Sequence, residues 1–158
     1  MKIIDNNLLD TVSEEARKNS RLRMNYNFHQ SLDEPIHRLL NALEPGTYII
    51  PHRHSNPDKE EIFTILRGSV LAFTFDDEGN VLTALKISPA DGVYGMEIEA
   101  GVWHSFISLE KGTMVYEIKE GPYFPLTFDN TAPWAPAIDD KEGHAKYMDD
   151  LLRKYLTD

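Results

Sequence analysis

From Arg21 to His29 the chain alternates without a miss: Leu22, Met24, Tyr26 and Phe28 against Arg21, Arg23, Asn25, Asn27 and His29. A period of two sets these groups on opposite faces of a strand. Upstream, Leu8, Leu9, Val12 and Ala16 share one helical stripe, with Asp5 and Asn6 as capping candidates and Glu14 and Glu15 outward. The pattern predicts an amphipathic helix over residues 5–19. Strand-like runs follow at about 36–42, 46–54, 61–67, 69–75, 81–87, 93–98, 102–109 and 113–119, separated by turn-forming clusters such as Glu44-Pro45-Gly46 and Pro89-Ala90-Asp91-Gly92. So many short strands imply a sandwich or barrel. Beyond Gly121-Pro122 an aperiodic stretch rich in proline and aromatics runs to Pro136, and Ala145, Met148, Leu151, Leu152 and Tyr155 then restore a helical stripe over residues 139–156. The expectation is a single all-β domain over 1–158, with an N-terminal helix and strand in 1–30, a barrel in 36–120, and a loop with a C-terminal helix in 121–158.

Composition narrows the chemistry. A chain of 158 residues with 41% hydrophobic content is long enough for one sizeable core. It has no apolar stretch of membrane-spanning length, and Met1-Lys2-Ile3-Ile4-Asp5 lacks the pattern of a secretory signal, so the expected location is the cytoplasm and no membrane partner is expected. With no cysteine, disulfides, thiolate nucleophiles and Cys-type zinc sites are excluded, and any metal must rest on nitrogen and oxygen. A net charge of −10, with scattered lysines and arginines, argues against nucleic acid as a partner. There is no Gly-x-Ser-x-Gly elbow and no phosphate-cradling glycine loop.

Against that background the histidines stand out. His52 and His54 are two residues apart, so on a strand both imidazoles project to one side. Asn56-Pro57-Asp58 supplies turn chemistry, Glu60 and Glu61 open the returning strand, and His104 heads the run Val102-Trp103-His104-Ser105-Phe106-Ile107. These spacings let one divalent ion collect His52, His54, Glu61 and His104. Imidazoles with a carboxylate suit zinc, iron, nickel, cobalt or manganese alike. On an octahedral ion, four protein ligands leave two positions for water, dioxygen or a chelating substrate.

Gly46-x5-His52-x-His54-x6-Glu61-x6-Gly68 and Gly101-x2-His104 resemble the two metal-binding motifs of the cupin superfamily. The resemblance implies a small double-stranded β-helix, or jelly-roll, barrel with these four side chains at its mouth. It selects Glu61 over Glu60, because Glu61 stands seven residues before Gly68. The His54-to-Glu61 gap is longer than the commonest cupin spacing, Glu99 stands where proline is usual, and Ser108 where asparagine is frequent. Along nearly its whole length, in Asn25-Tyr26-Asn27-Phe28-His29, Pro51-His52-Arg53-His54, Glu117-Ile118-Lys119-Glu120-Gly121-Pro122-Tyr123 and Pro133-Trp134-Ala135-Pro136, the chain resembles the WbuC-like cupin metalloproteins. That branch implies a link to bacterial surface polysaccharides, without a settled reaction.

The polar face Arg21, Arg23, Asn25, Asn27 and His29 is either an anion-binding wall for substrate or the solvated side of an edge strand. Strand parity with the histidines turns Tyr48, Ile50, Phe63, Ile65, Phe106 and Ser108 inward and Trp103 outward. Tyr48 is then either a proton donor or a core tyrosine with a satisfied hydroxyl. Three functions are compatible with this chain: a metal-dependent isomerase, epimerase or lyase acting on a small anionic sugar or hydroxy acid; an iron-dependent dioxygenase; and a non-catalytic metal or small-molecule binder. A homodimer is expected, since small cupins of this kind commonly pair and the apolar face of the first strand needs covering.

Overall fold

A computed structural model describes residues 1–156. After α1 (Asn6–Lys18) come β1 (Arg23–Asn27), β2 (Ile36–Leu43), β3 (Glu61–Arg67), β4 (Val70–Phe75), β5 (Val81–Ile87), β6 (Gly95–Ile98), β7 (Trp103–Ser108), β8 (Thr113–Glu120) and α2 (Lys141–Tyr155). The strands form two antiparallel sheets, one in the order β1-β2-β8-β3-β6 and one in the order β5-β4-β7. Between them lies a core of Leu43, Phe63, Ile65, Val70, Ala72, Ile87, Ile98, Phe106 and Val115. At the tight turn from β3 to β4, Gly68 has φ +77° and Thr113 occupies the space a Cβ would need, so glycine is required there.

Each sheet carries a helix on its outer face. Asp5 caps α1 by accepting the Leu8 N–H at 3.0 Å, and the helix buries Leu9, Val12 and Ala16 against Leu40, Ala42 and Met114. A helix this short is marginal alone, so that burial holds it. Met24, Tyr26 and Phe28 pack in the same cluster. The apolar face of β1, expected to need a sheet or a partner to cover it, is thus covered by the chain's own first helix. On the other sheet, Leu71, Phe73, Phe75, Trp103 and Ile107 are overlaid by Trp134 and by Met148, Leu151, Leu152 and Tyr155 of α2.

The clearest departure from the expected elements is at 46–54, where no ladder forms. Pro51 has no N–H to donate. Only His52 pairs, bridging to His104 and to Thr131. β1 also starts late, because Leu22 takes φ +57° and turns Arg21 out of the strand.

Candidate metal centre and adjoining cavities

His52, His54, Glu61 and His104 come together from three parts of the chain, their ligand-type atoms lying within 4.8 Å of one another. Glu61 opens β3 and is 2% exposed, while the neighbouring Glu60 is exposed and faces away. His104 is the second residue of β7, and its backbone is locked to His52 by two hydrogen bonds, His52 N–H to His104 O at 3.0 Å and His104 N–H to His52 O at 2.9 Å. Local carbonyls fix the tautomers. Nδ1 of His52 lies 2.9 Å from the Ile50 carbonyl, and Nδ1 of His104 lies 2.9 Å from that of Val102. A carbonyl only accepts, so each Nδ1 carries a proton, and in the neutral ring each Nε2 keeps its lone pair.

Those lone pairs have a common target. His104 Nε2 and Glu61 Oε2 lie 3.1 Å apart, yet both are buried without a hydrogen-bond partner. Buried polar atoms are rarely left so. Burial, with the neighbouring His104, pushes the His52 pKa well below its ordinary value, and burial lowers that of His54, which keeps both imidazoles neutral. Burial alone would raise the Glu61 pKa. Contacts from His104 and His54 and the ammonium of Lys119 outweigh it, and the carboxylate stays ionised. Neutral imidazoles and one carboxylate around two orphaned acceptors fit a divalent first-row metal.

The other expected site residues are divided. Arg23 and Asn25 line a cavity of about 230 Å³ together with His52 and Glu61, and the Arg23 guanidinium is anchored on the Tyr48 carbonyl. Arg21 lies outside β1, and Asn27 is exposed away from the cavity. His29 is buried and stacks on His37 with ring centroids 4.1 Å apart, a packing contact. The five-residue wall is therefore two residues wide at the site. Tyr48 lies outside the cavity: its hydroxyl donates to the Pro136 carbonyl at 2.9 Å, its ring stacks on His144, and burial raises its pKa. Without a ladder, strict alternation lapses, and both Ile49 and Ile50 line the cavity. Phe63 and Phe106 face it as parity requires. Ser108 donates to the Leu43 carbonyl, and Trp103 packs outward with its indole N–H on Asp77.

Sequence reasoning missed the polar residues of β2 and β8. Lys119 lies opposite both His37 and Glu61 in the sheet register and touches Glu61 Oε1 and, at 3.0 Å, His54 Nε2. Two residues earlier, Glu117 lines the cavity and accepts a hydrogen bond from Asn41 Nδ2 at 2.5 Å. Burial and the charge of Glu61 push its carboxyl up to about 7. The available signal was parity, since Glu117 and Lys119 share a face with the core residue Val115. Beyond Lys119 opens a second cavity of about 430 Å³, which shares Lys119 and Leu126 with the first.

Comparison with known proteins places this site in a family. A family model described as a domain of unknown function (DUF6016) matches residues 4–87. The chain belongs to that family. The DUF6016 match takes in His52, His54 and Glu61 and ends before His104. No curated protein matches the sequence. Among solved structures, TT1209 from Thermus thermophilus is 20% identical with a TM-score of 0.53, the match covering 76% of this chain and 97% of that one. KdgF from Halomonas sp. is 14% identical with a TM-score of 0.51, over 65% of this chain and 82% of that one. The capsular polysaccharide assembling protein CapF from Staphylococcus aureus is 20% identical with a TM-score of 0.52 over 64% of this chain, which spans about a quarter of CapF (27%). At these identities the likeness concerns the fold, and the DUF6016 architecture here is a small cupin jelly roll with two short helices.

Proposed function

We propose that this protein is a WbuC-like, metal-dependent cupin enzyme that isomerises, epimerises or eliminates on a small anionic sugar or hydroxy acid, in the metabolism of surface polysaccharides. The observation that carries the reading is that His52 and Glu61, two of the four clustered donors, open onto a cavity that also presents Arg23, Asn25, Glu117 and Lys119. His52, His54, Glu61 and His104 would hold one divalent ion, which when bound supplies Lewis acidity to a substrate oxygen. The chain's own groups do the rest. Arg23 and Asn25 orient an anionic substrate from the far wall, the Lys119 ammonium steadies negative charge that develops on it, and Phe63 and Phe106 exclude water from one side. Glu117, held by Asn41, is placed to exchange a proton with the substrate. The carbohydrate link is supported by the sequence resemblance to the WbuC-like cupins in Asn25-Tyr26-Asn27-Phe28-His29 and Pro51-His52-Arg53-His54.

The test is elemental analysis of protein purified without affinity-tag metal, followed by nuclear magnetic resonance of sugar acids and hydroxy acids incubated with it in deuterated water. The expected result is one divalent ion per chain and deuterium at a carbon next to a carboxyl or carbonyl. Iron with oxygen uptake would instead select a dioxygenase, and a metal-loaded protein inert in both assays would select a binding role. The same reading includes a homodimer, supported by the edge strand β5, whose Leu82 and Leu85 are exposed.

A further inference from the structure

The larger cavity, beyond Lys119, has a chemistry of its own. Its volume is about 430 Å³, and His37, His54, Lys59, Lys119, Tyr123 and Phe124 are among its lining residues. Lys59 is 6% exposed, under a thin layer of chain. Its ammonium donates to the Glu120 carbonyl at 3.0 Å and to that of Pro122, and among the described residues it enters no ion pair. The nearby Glu120 side chain turns instead to the backbone N–H of Glu60 at 3.2 Å. Carbonyl oxygens solvate an ammonium without neutralising it, and the charge of Glu120 offsets only part of the cost that burial and the neighbouring Lys119 impose on Lys59.

Two further features point the same way. Lys119 brings a second ammonium to the same cavity, one that is also paired with Glu61 Oε1. The Phe124 ring lies 5.2 Å from Lys59 Nζ, and Phe124 and Tyr123, half-exposed at the mouth, offer flat apolar faces. In a chain of net charge −10, positive charge gathered in one recess is a local device that attracts negative ligands.

We propose that this second cavity is an anion subsite in which Lys59, with Lys119, holds the phosphate or carboxylate of a small sugar-type ligand whose ring lies against Phe124 and Tyr123. The inference rests on the proposed function and deepens it by giving the anionic substrate a second anchor, across Lys119 from Arg23 and Asn25. Because Lys59 is not one of the four metal-cluster donors, the two readings can fail separately.

Inorganic phosphate and glucose 6-phosphate are suitable probes, titrated calorimetrically into metal-loaded and chelator-stripped protein, with melting temperatures measured alongside. Both probes are expected to bind the stripped protein and raise its melting temperature. Lys59→Met and Lys59→Gln are expected to weaken them about tenfold or more, the scale of a lost hydrogen bond to a charged group. Neither variant should change metal content, and Lys59→Arg should keep the affinity. Glucose 6-phosphate should bind more tightly than phosphate, a margin that Phe124→Ala removes. Equal affinity in wild type and both charge-removing variants would overturn the subsite, as would binding that vanishes on chelation and ignores Lys59. A protein that takes up no metal yet keeps Lys59-dependent affinity would refute the metal enzyme and leave the subsite standing.

Discussion

Glu61 and Glu117 line the same cavity, and their surroundings drive them in opposite directions. Glu61 is held ionised by the histidines and Lys119, whereas burial and the charge of Glu61 push Glu117 up to about 7. A carboxyl with a raised folded pKa contributes stability that is complete below its unfolded value and is lost as pH rises through the folded one. In chelator-stripped protein, Glu117→Gln should therefore match wild type near pH 4.5. It should exceed wild type by about 1–3 kcal/mol above pH 7, the scale of a rise from the ordinary carboxyl value to about 7, discounted for cavity water. Urea denaturation of both proteins across this range checks it, and a constant difference would refute the assignment. For the metal, His52→Ala is expected to lower bound ion at least ~10-fold by elemental analysis, while Glu60→Gln leaves it unchanged.

The elements were legible where the periodicity was long and each segment had its own partner. The stripe Leu8, Leu9, Val12, Ala16 became α1, and the alternation through Met24 and Tyr26 became β1, with Phe28 just beyond its end. What covers β1 was not legible, because two apolar faces in one sequence do not say whether they meet each other or a second chain. Here they meet. Leu9→Ala should cost about 2–4 kcal/mol in denaturant unfolding, since it opens a cavity where α1 meets the sheet. Asp5→Ala should cost about 1 kcal/mol through the lost cap. At the site, the four candidate ligands were legible from their spacing. The inward polar residues Asn41, Glu117 and Lys119 were not, because β2 and β8 mix polar and apolar side chains on one face and only the register with β3 shows which way they point. For Tyr48, the hydroxyl on the Pro136 carbonyl agrees with the reading of a core tyrosine satisfied by backbone, while the inward face expected from parity does not hold, because parity holds only where a ladder enforces it.

For the whole molecule, assembly and edges belong together. Light scattering is expected to give twice the 18.1 kDa chain mass, and Leu82→Lys on the β5 edge is expected to return the monomer. A monomer in wild type would remove the dimer proposal. No helix in the described residues is long and apolar enough to cross a membrane. The opposite edge of that sheet, β7, is treated differently. Its open side is met by His52, which trades both backbone hydrogen bonds with His104 and also bridges to Thr131. The segment that carries two of the cluster's imidazoles is thus also the cap on a strand reading Trp103-His104-Ser105-Phe106-Ile107-Ser108, uncharged and rich in aromatic and β-branched residues. Such a strand, once uncapped, is a template for pairing with other chains. Loosening the 48–54 segment would accordingly do more than empty a site: it would bare an adhesive edge, and the lesion would show itself as fibrils or precipitate as well as lost chemistry.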